Sequence, residues 1–204
     1  HIIGSSAAEW GTPINAYAGS DDVFIAKLDG SGNLQWHTFM GSSDYDFDSA
    51  IVIDSAANIY ATGVSAAEWG SPVNAHAGGD DAFIAKLDGS GNLQWHTFMG
   101  SSMMDCGNGI ALDTLYNIYI AGHAEAAWGS PINPHAGGGD GFVAQVNSEG
   151  VLQWHTFMGS SDFDDAWNLS IGSAGDIYVA GHSDAEWGTP VNPFSGDDDG
   201  FVVK

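Results

Sequence analysis

Leu34-Gln35-Trp36-His37-Thr38-Phe39-Met40-Gly41-Ser42-Ser43 stands again, letter for letter, at Leu93–Ser102 and Leu152–Ser161. Both steps are 59 residues, and Trp-Gly keeps the same step at Trp10, Trp69, Trp128 and Trp187. A fixed period of this length marks a propeller, solenoid or array in which each repeat is one supersecondary unit. In extended conformation Trp36 and Thr38 fall on one face, His37 and Phe39 on the other. A strand bulky on both faces is packed on both sides, as a blade is between its neighbours.

Three further β-like runs accompany this stretch in each unit: Phe24–Leu28, Ala50–Asp54 and Ile59–Gly63, divided by turns rich in Gly, Asn, Asp and Ser. Short strands at such regular spacing predict an all-β protein, and no amphipathic helix of useful length interrupts them. Four antiparallel strands per unit, at a period somewhat above the usual 40–50 or so, is the β-propeller pattern. The rungs of a parallel β-helix, its main rival, are shorter. The copies sum to 14 strands, about three and a half blades, in one repeat region over 1–204. Its units run approximately 1–41, 42–100, 101–159 and 160–204. Ala50–Asp54 is expected innermost, followed outward by Ile59–Gly63, Phe24–Leu28 and Leu34–Met40. His1 aligns with Tyr60 and Lys204 with Lys27, both mid-repeat, so a segment of a longer precursor is expected. Two such chains supply 28 strands, the number in seven blades, and self-association or further copies of the repeat are the expected partners.

Charge excludes several functions. There are 26 acidic residues against three lysines and no arginine, a formal net charge of −23. Nothing neutralises phosphate, so nucleic-acid binding is not expected. Anionic membranes repel such a chain, and no apolar run approaches the roughly 18 residues of a membrane span. Cys106 is the only cysteine, so no intrachain disulfide forms.

Gly78–Gly100 (Gly-Gly-Asp-Asp-Ala-Phe-Ile-Ala-Lys-Leu-Asp-Gly-Ser-Gly-Asn-Leu-Gln-Trp-His-Thr-Phe-Met-Gly), with Asn117-Ile118-Tyr119-Ile120-Ala121-Gly122, resembles the SBBP-type bacterial β-propeller repeat. The resemblance extends over essentially the whole chain. It implies a seven-bladed design within large secreted or surface-anchored bacterial and archaeal proteins, and no enzymatic chemistry. It assigns no role to the Trp-Gly-Thr/Ser-Pro insert.

The long connection of about Ser65–Asp81 and that of about Gly100–Asn108 are expected on one face of the disc, where binding usually resides. Four loop pairs are therefore candidate ligand contacts: Trp10 with Asn15, Trp69 with Asn74, Trp128 with Asn133, and Trp187 with Asn192. An indole beside an amide suits a sugar ring and its hydroxyls. The bland reading is that each Trp packs its loop onto the blade, and the buried area of a large aromatic favours it. Asp44, Asp46 and Asp48, with Asp162 and Asp164, form a run suited to calcium, which takes six to eight oxygens. Only the central Asp recurs in all three units, which favours a turn cap. His37, His96 and His155 lie on different blades, too far apart to share a metal. No Ser/His/Asp or paired-Glu context points to hydrolysis. The expectation is a non-enzymatic extracellular or cell-surface scaffold, structural or adhesive and prone to self-assembly. The alternative is a multivalent glycan-binding lectin using the Trp-Gly loops, with calcium assistance.

Overall fold

The computed structural model describes residues 1–204. Fourteen strands and no helix form four antiparallel sheets. The first holds β1 (Ile2–Ser6), β2 (Asp22–Leu28) and β3 (Leu34–Met40). The second holds β4 (Asp46–Ile53), β5 (Ile59–Ser65), β6 (Asp81–Leu87) and β7 (Leu93–Met99). The third holds β8 (Asp105–Leu112), β9 (Ile118–Ala124), β10 (Asp140–Val146) and β11 (Leu152–Met158). The fourth holds β12 (Asp164–Ile171), β13 (Ile177–Ser183) and β14 (Asp199–Val203). Strands follow chain order within every sheet, so each is a meander built from local antiparallel turns.

The sheets pack as blade-like layers in chain order, β4 lying against β1 and β2, β8 against β4–β6, and β12 against β8–β10. The middle strands explain why they stack. In β5, Ile59 and Ala61 enter the core shared with the first sheet, while Tyr60 enters the core shared with the third. In β9, Ile118 and Ile120 face the second sheet, and Tyr119 and Ala121 the fourth. Alternation of side chains along a strand thus feeds two cores at once, and both faces must be apolar.

The first strand of the second sheet begins at Asp46, not at Ala50 as the sequence suggested. A β-bulge between Asp48 and Ala50 lets pairing with β5 continue past the residues that lack β-branched character. Equivalent bulges lie between Gly107 and Gly109 and between Ala166 and Asn168. Each bulge presses a carbonyl into the facing strand. A Cβ on Gly63, Gly122 or Gly181 would stand about 2 Å from the oxygen of Phe47, Cys106 or Asp165. Only glycine fits there.

Candidate functional site

The Trp-Gly loop does not stand off the face of the sheet. It climbs the outer edge of its own blade and hydrogen-bonds there. The Ile14 N–H donates to the His37 carbonyl at 2.9 Å, and the Phe39 N–H donates to the Asn15 carbonyl at 3.2 Å. Val73 and Asn74 repeat this against His96 and Phe98, and Ile132 and Asn133 against His155 and Phe157. The Asn15 N–H reaches Thr38 Oγ1 at 3.3 Å, and Asn74 and Asn133 make the same bond to Thr97 and Thr156. An edge strand otherwise offers a row of unpaired backbone groups to any passing chain. The insert covers part of that row, and it accounts for a period longer than four bare strands require.

A His–Trp clasp fixes the loop. Trp10 stacks on His37 with ring centroids 3.8 Å apart, Trp69 on His96 at 3.7 Å, and Trp128 on His155 at 3.8 Å, all within 8° of parallel. Nε2 of each imidazole also lies 2.6, 2.7 or 2.9 Å from the carbonyl oxygen of the tryptophan it stacks on. That contact fixes the tautomer, with Nε2–H donating. Burial is the main force holding the pKa of His96 and His155 below the usual histidine value, which keeps the rings neutral for this role. Phe24 and Phe39 meet Trp10 edge-on, as Phe83 and Phe98 meet Trp69 and as Phe142 and Phe157 meet Trp128. At the loop base, Glu9 and Glu68 accept the N–H of Tyr17 and His76 at 3.2 Å, and Glu186 that of Phe194 at 3.1 Å.

The eight loop residues singled out in the sequence are therefore gathered blade by blade, not into one pocket. In three blades one indole face is spent on imidazole, and Trp128 is only 8% exposed. Trp187 differs, since its only ring contact is Phe201, edge-on. The clasp had a signal in the sequence: Trp and His keep a fixed offset of 27 residues in all three copies.

The aspartates divide into exposed and buried groups. Asp44 and Asp162 are exposed, whereas Asp46 and Asp164 are fully buried at the start of β4 and β12. Asp46 Oδ2 accepts the Ser42 N–H at 2.7 Å and the Ser42 hydroxyl at 3.1 Å, and Oδ1 accepts the Ser65 hydroxyl. Asp164 repeats these bonds with Ser160 and Ser183. Asp48 Oδ1 accepts from Ser5 of the neighbouring blade at 2.7 Å. These carboxylates cap turns and tie strands. A second buried row closes the loop into the third strand of each unit. Asp22, Asp81 and Asp140 accept the N–H of Ala18, Ala77 and Ala136 at 2.5, 2.5 and 2.6 Å. Burial, as the largest cause, pushes the carboxyls of Asp46 and Asp105 up to about 6.

Three potential metal-ligating side chains come within 4.8 Å of one another at His182, Asp184 and Asp198. Both aspartates are exposed, and the equivalent positions carry His123, Glu125 and Gly139 or Val64, Ala66 and Asp80, so the grouping belongs to one unit alone. Cys106 has its thiol pushed up to about 12, mostly by burial and next by Asp165, which leaves it unreactive at neutral pH. No protein-family model and no curated protein matches the chain.

Proposed function

We propose that this chain is a non-enzymatic β-propeller segment of an extracellular or cell-surface protein, acting as a structural or adhesive scaffold. One observation carries the reading. In each clasped blade the Trp, the His and a buried turn Asp (Asp22, Asp46 or Asp105) hold the blade's own loop and strands. Catalysis needs unlike groups converging on a shared point, whereas here like groups recur on separate blades. Repetition instead suits multivalent contact, in which weak affinities multiply. The seven-bladed closure implied by the SBBP-type resemblance, through further repeats or a second copy, belongs to this proposal.

Glycan recognition draws less support, because the stacked indoles already have an imidazole on one face. Electron microscopy and analytical sizing of the purified chain test the scaffold reading. Rings, fibres or discrete oligomers are expected, and a strict monomer at every concentration counts against it. A glycan array probed with intact protein, with and without calcium, tests the alternative, and a silent array in both conditions removes it.

A further inference from the structure

The three junctions between successive sheets share a pair of buried acids. Asp22, Asp81 and Asp140 open β2, β6 and β10, and Asp46, Asp105 and Asp164 open the first strand of the sheet that follows. A backbone bond sets the two starts side by side. The Asp46 N–H donates to the Asp21 carbonyl at 2.6 Å, Asp105 to Asp80 at 2.6 Å, and Asp164 to Gly139 at 2.8 Å. All six carboxyl groups are fully buried. In Asp22, Asp81 and Asp140, Oδ2 accepts an alanine N–H, whereas Oδ1 is buried with no partner.

The orphan oxygens are aimed at the second acid of each pair. A Cβ on Gly41 would stand 2.8 Å from Asp22 Oδ1 and 2.7 Å from Asp46 Oδ2. On Gly100 it would stand 2.5 Å from Asp81 Oδ1 and 3.0 Å from Asp105 Oδ2, and on Gly159 2.9 Å from Asp140 Oδ1 and 2.6 Å from Asp164 Oδ2. None of these glycines has a positive φ, so each serves by leaving space. Two oxygens from successive sheets thus converge on one cradle that any side chain would fill. A third oxygen borders it: the hydroxyls of Ser42, Ser101 and Ser160 lie 3.1, 2.8 and 2.9 Å from the second carboxylate.

Buried carboxylates are ordinarily paired with a cationic group or with a metal. The ion pairs of this chain do not reach the orphan oxygens. Lys204 pairs with Asp176, and His76 stands 3.9 Å from Asp81 Oδ2, the oxygen that already holds Ala77. Two carboxylates match a divalent ion in charge. An all-oxygen donor set selects a hard cation, and calcium tolerates irregular shells, with oxygens at about 2.3–2.6 Å.

We propose that each junction binds one calcium ion between the orphan carboxylate oxygen of one sheet and the carboxylate that opens the next. The ions fasten sheet to sheet along the chain, three in all. The exposed Asp44 and Asp162 take no part. The inference goes beyond the scaffold reading and does not rest on it, since a monomer can bind calcium and an oligomer can lack it.

The test is calcium titration calorimetry of the whole chain, stripped with chelator and held in about 0.15 M potassium chloride to screen the surface acids. Three equivalents are expected, and saturating calcium should raise the melting temperature by at least about 5 °C over chelator. Asp22→Asn, Asp81→Asn and Asp140→Asn should each remove one equivalent, and the triple variant should bind none and show no calcium shift. Asparagine keeps an oxygen for the alanine N–H, so in chelator the variants should melt at or above the parent. Asp44→Asn and Asp162→Asn should leave three equivalents. No saturable binding by about 10 mM calcium, well above the roughly 1 mM of weak extracellular sites, would overturn the proposal. Three equivalents surviving in the triple variant, or equivalents lost with Asp44 or Asp162, would place the ions on the surface and overturn it too.

Discussion

Asp105 faces Ala124 across the β8–β9 ladder, while its equivalents Asp46 and Asp164 face Ser65 and Ser183. Those serines donate to Oδ1, and Asp105 Oδ1 is buried with no partner. An unpartnered buried acceptor costs about 1–3 kcal/mol. Ala124→Ser should restore the bond and stabilise the protein by about 1 kcal/mol at pH 7.5, read as a shifted urea midpoint with an unchanged slope. A loss of stability would mean that this junction does not share the geometry of the other two. The same carboxyl, with Asp81 and Glu125 adding their charge to the effect of burial, carries a pKa of about 6. Its folded value lies above the ordinary 3.8, so its contribution is present below about pH 4 and lost as pH rises through 6. Asp105→Asn keeps an acceptor for the Ser101 N–H and hydroxyl, now bonded at 2.6 and 2.8 Å. The variant should therefore gain on the parent by up to about 3 kcal/mol between pH 4 and pH 7.5. His96 and His155 act in the opposite sense below pH 6.5, but they are common to both proteins and cancel. A difference that stays flat with pH would sink the assignment.

At the scale of a strand and its loop, the His–Trp clasp and the bulge–glycine pair define a blade. His96→Ala removes a stacked ring and the Nε2–H bond and should cost about 2–3 kcal/mol. His96→Phe keeps the stack and should cost about 1 kcal/mol, the value of one net hydrogen bond. In both variants the Val73 amide, which donates to the His96 carbonyl, should exchange faster than global unfolding allows; unchanged protection would show that the loop holds without the clasp. Gly122→Ala sets a methyl group about 2 Å from the Cys106 carbonyl, which backbone must move to relieve, at about 2–3 kcal/mol. Gly30→Ala meets nothing within 4 Å and serves as the neutral control. The strand count and order were legible in the sequence because alternation and a fixed period record which faces are buried. The edge-covering loop was not, because its bonds run from the backbone of Ile14 and Asn15, which no side-chain pattern encodes. The early start of β4 was hidden for a related reason. Asp46-Phe47-Asp48 lacks β-branched residues, and its pairing depends on Ser65 and on a bulge accommodated by Gly63. The loop tryptophans were read as packing groups first and as candidate ligand contacts second; their histidine partner was not read, although the constant distance between the two pointed to the stack.

Across the whole molecule, inner sheets are covered on both faces and end sheets on one. Tyr60 and Tyr119 are 1% and 8% exposed, yet Tyr178, at the same position in β13, is 40% exposed, and Val202 on β14 is 76% exposed where Ile84 is fully buried. These residues present on the fourth sheet the surface that elsewhere receives the next blade. A scaffold that self-associates would use this face, and the apolar gain at roughly 25 cal/mol per Å² must overcome repulsion between chains each carrying −23. Salt shortens that repulsion to about 10 Å at 0.1 M and about 3 Å at 1 M, so association should strengthen as ionic strength rises. Sedimentation equilibrium should give a mass close to 21.2 kDa in about 0.01 M salt and a multiple of it near 1 M. Tyr178→Glu puts a further negative charge on the free face without touching a buried core. It should hold the chain at monomer mass in high salt while leaving its urea midpoint within about 0.5 kcal/mol of the parent. A parent chain that stays monomeric at high salt would remove the scaffold reading, and an oligomer indifferent to Tyr178→Glu would move the contact to another surface.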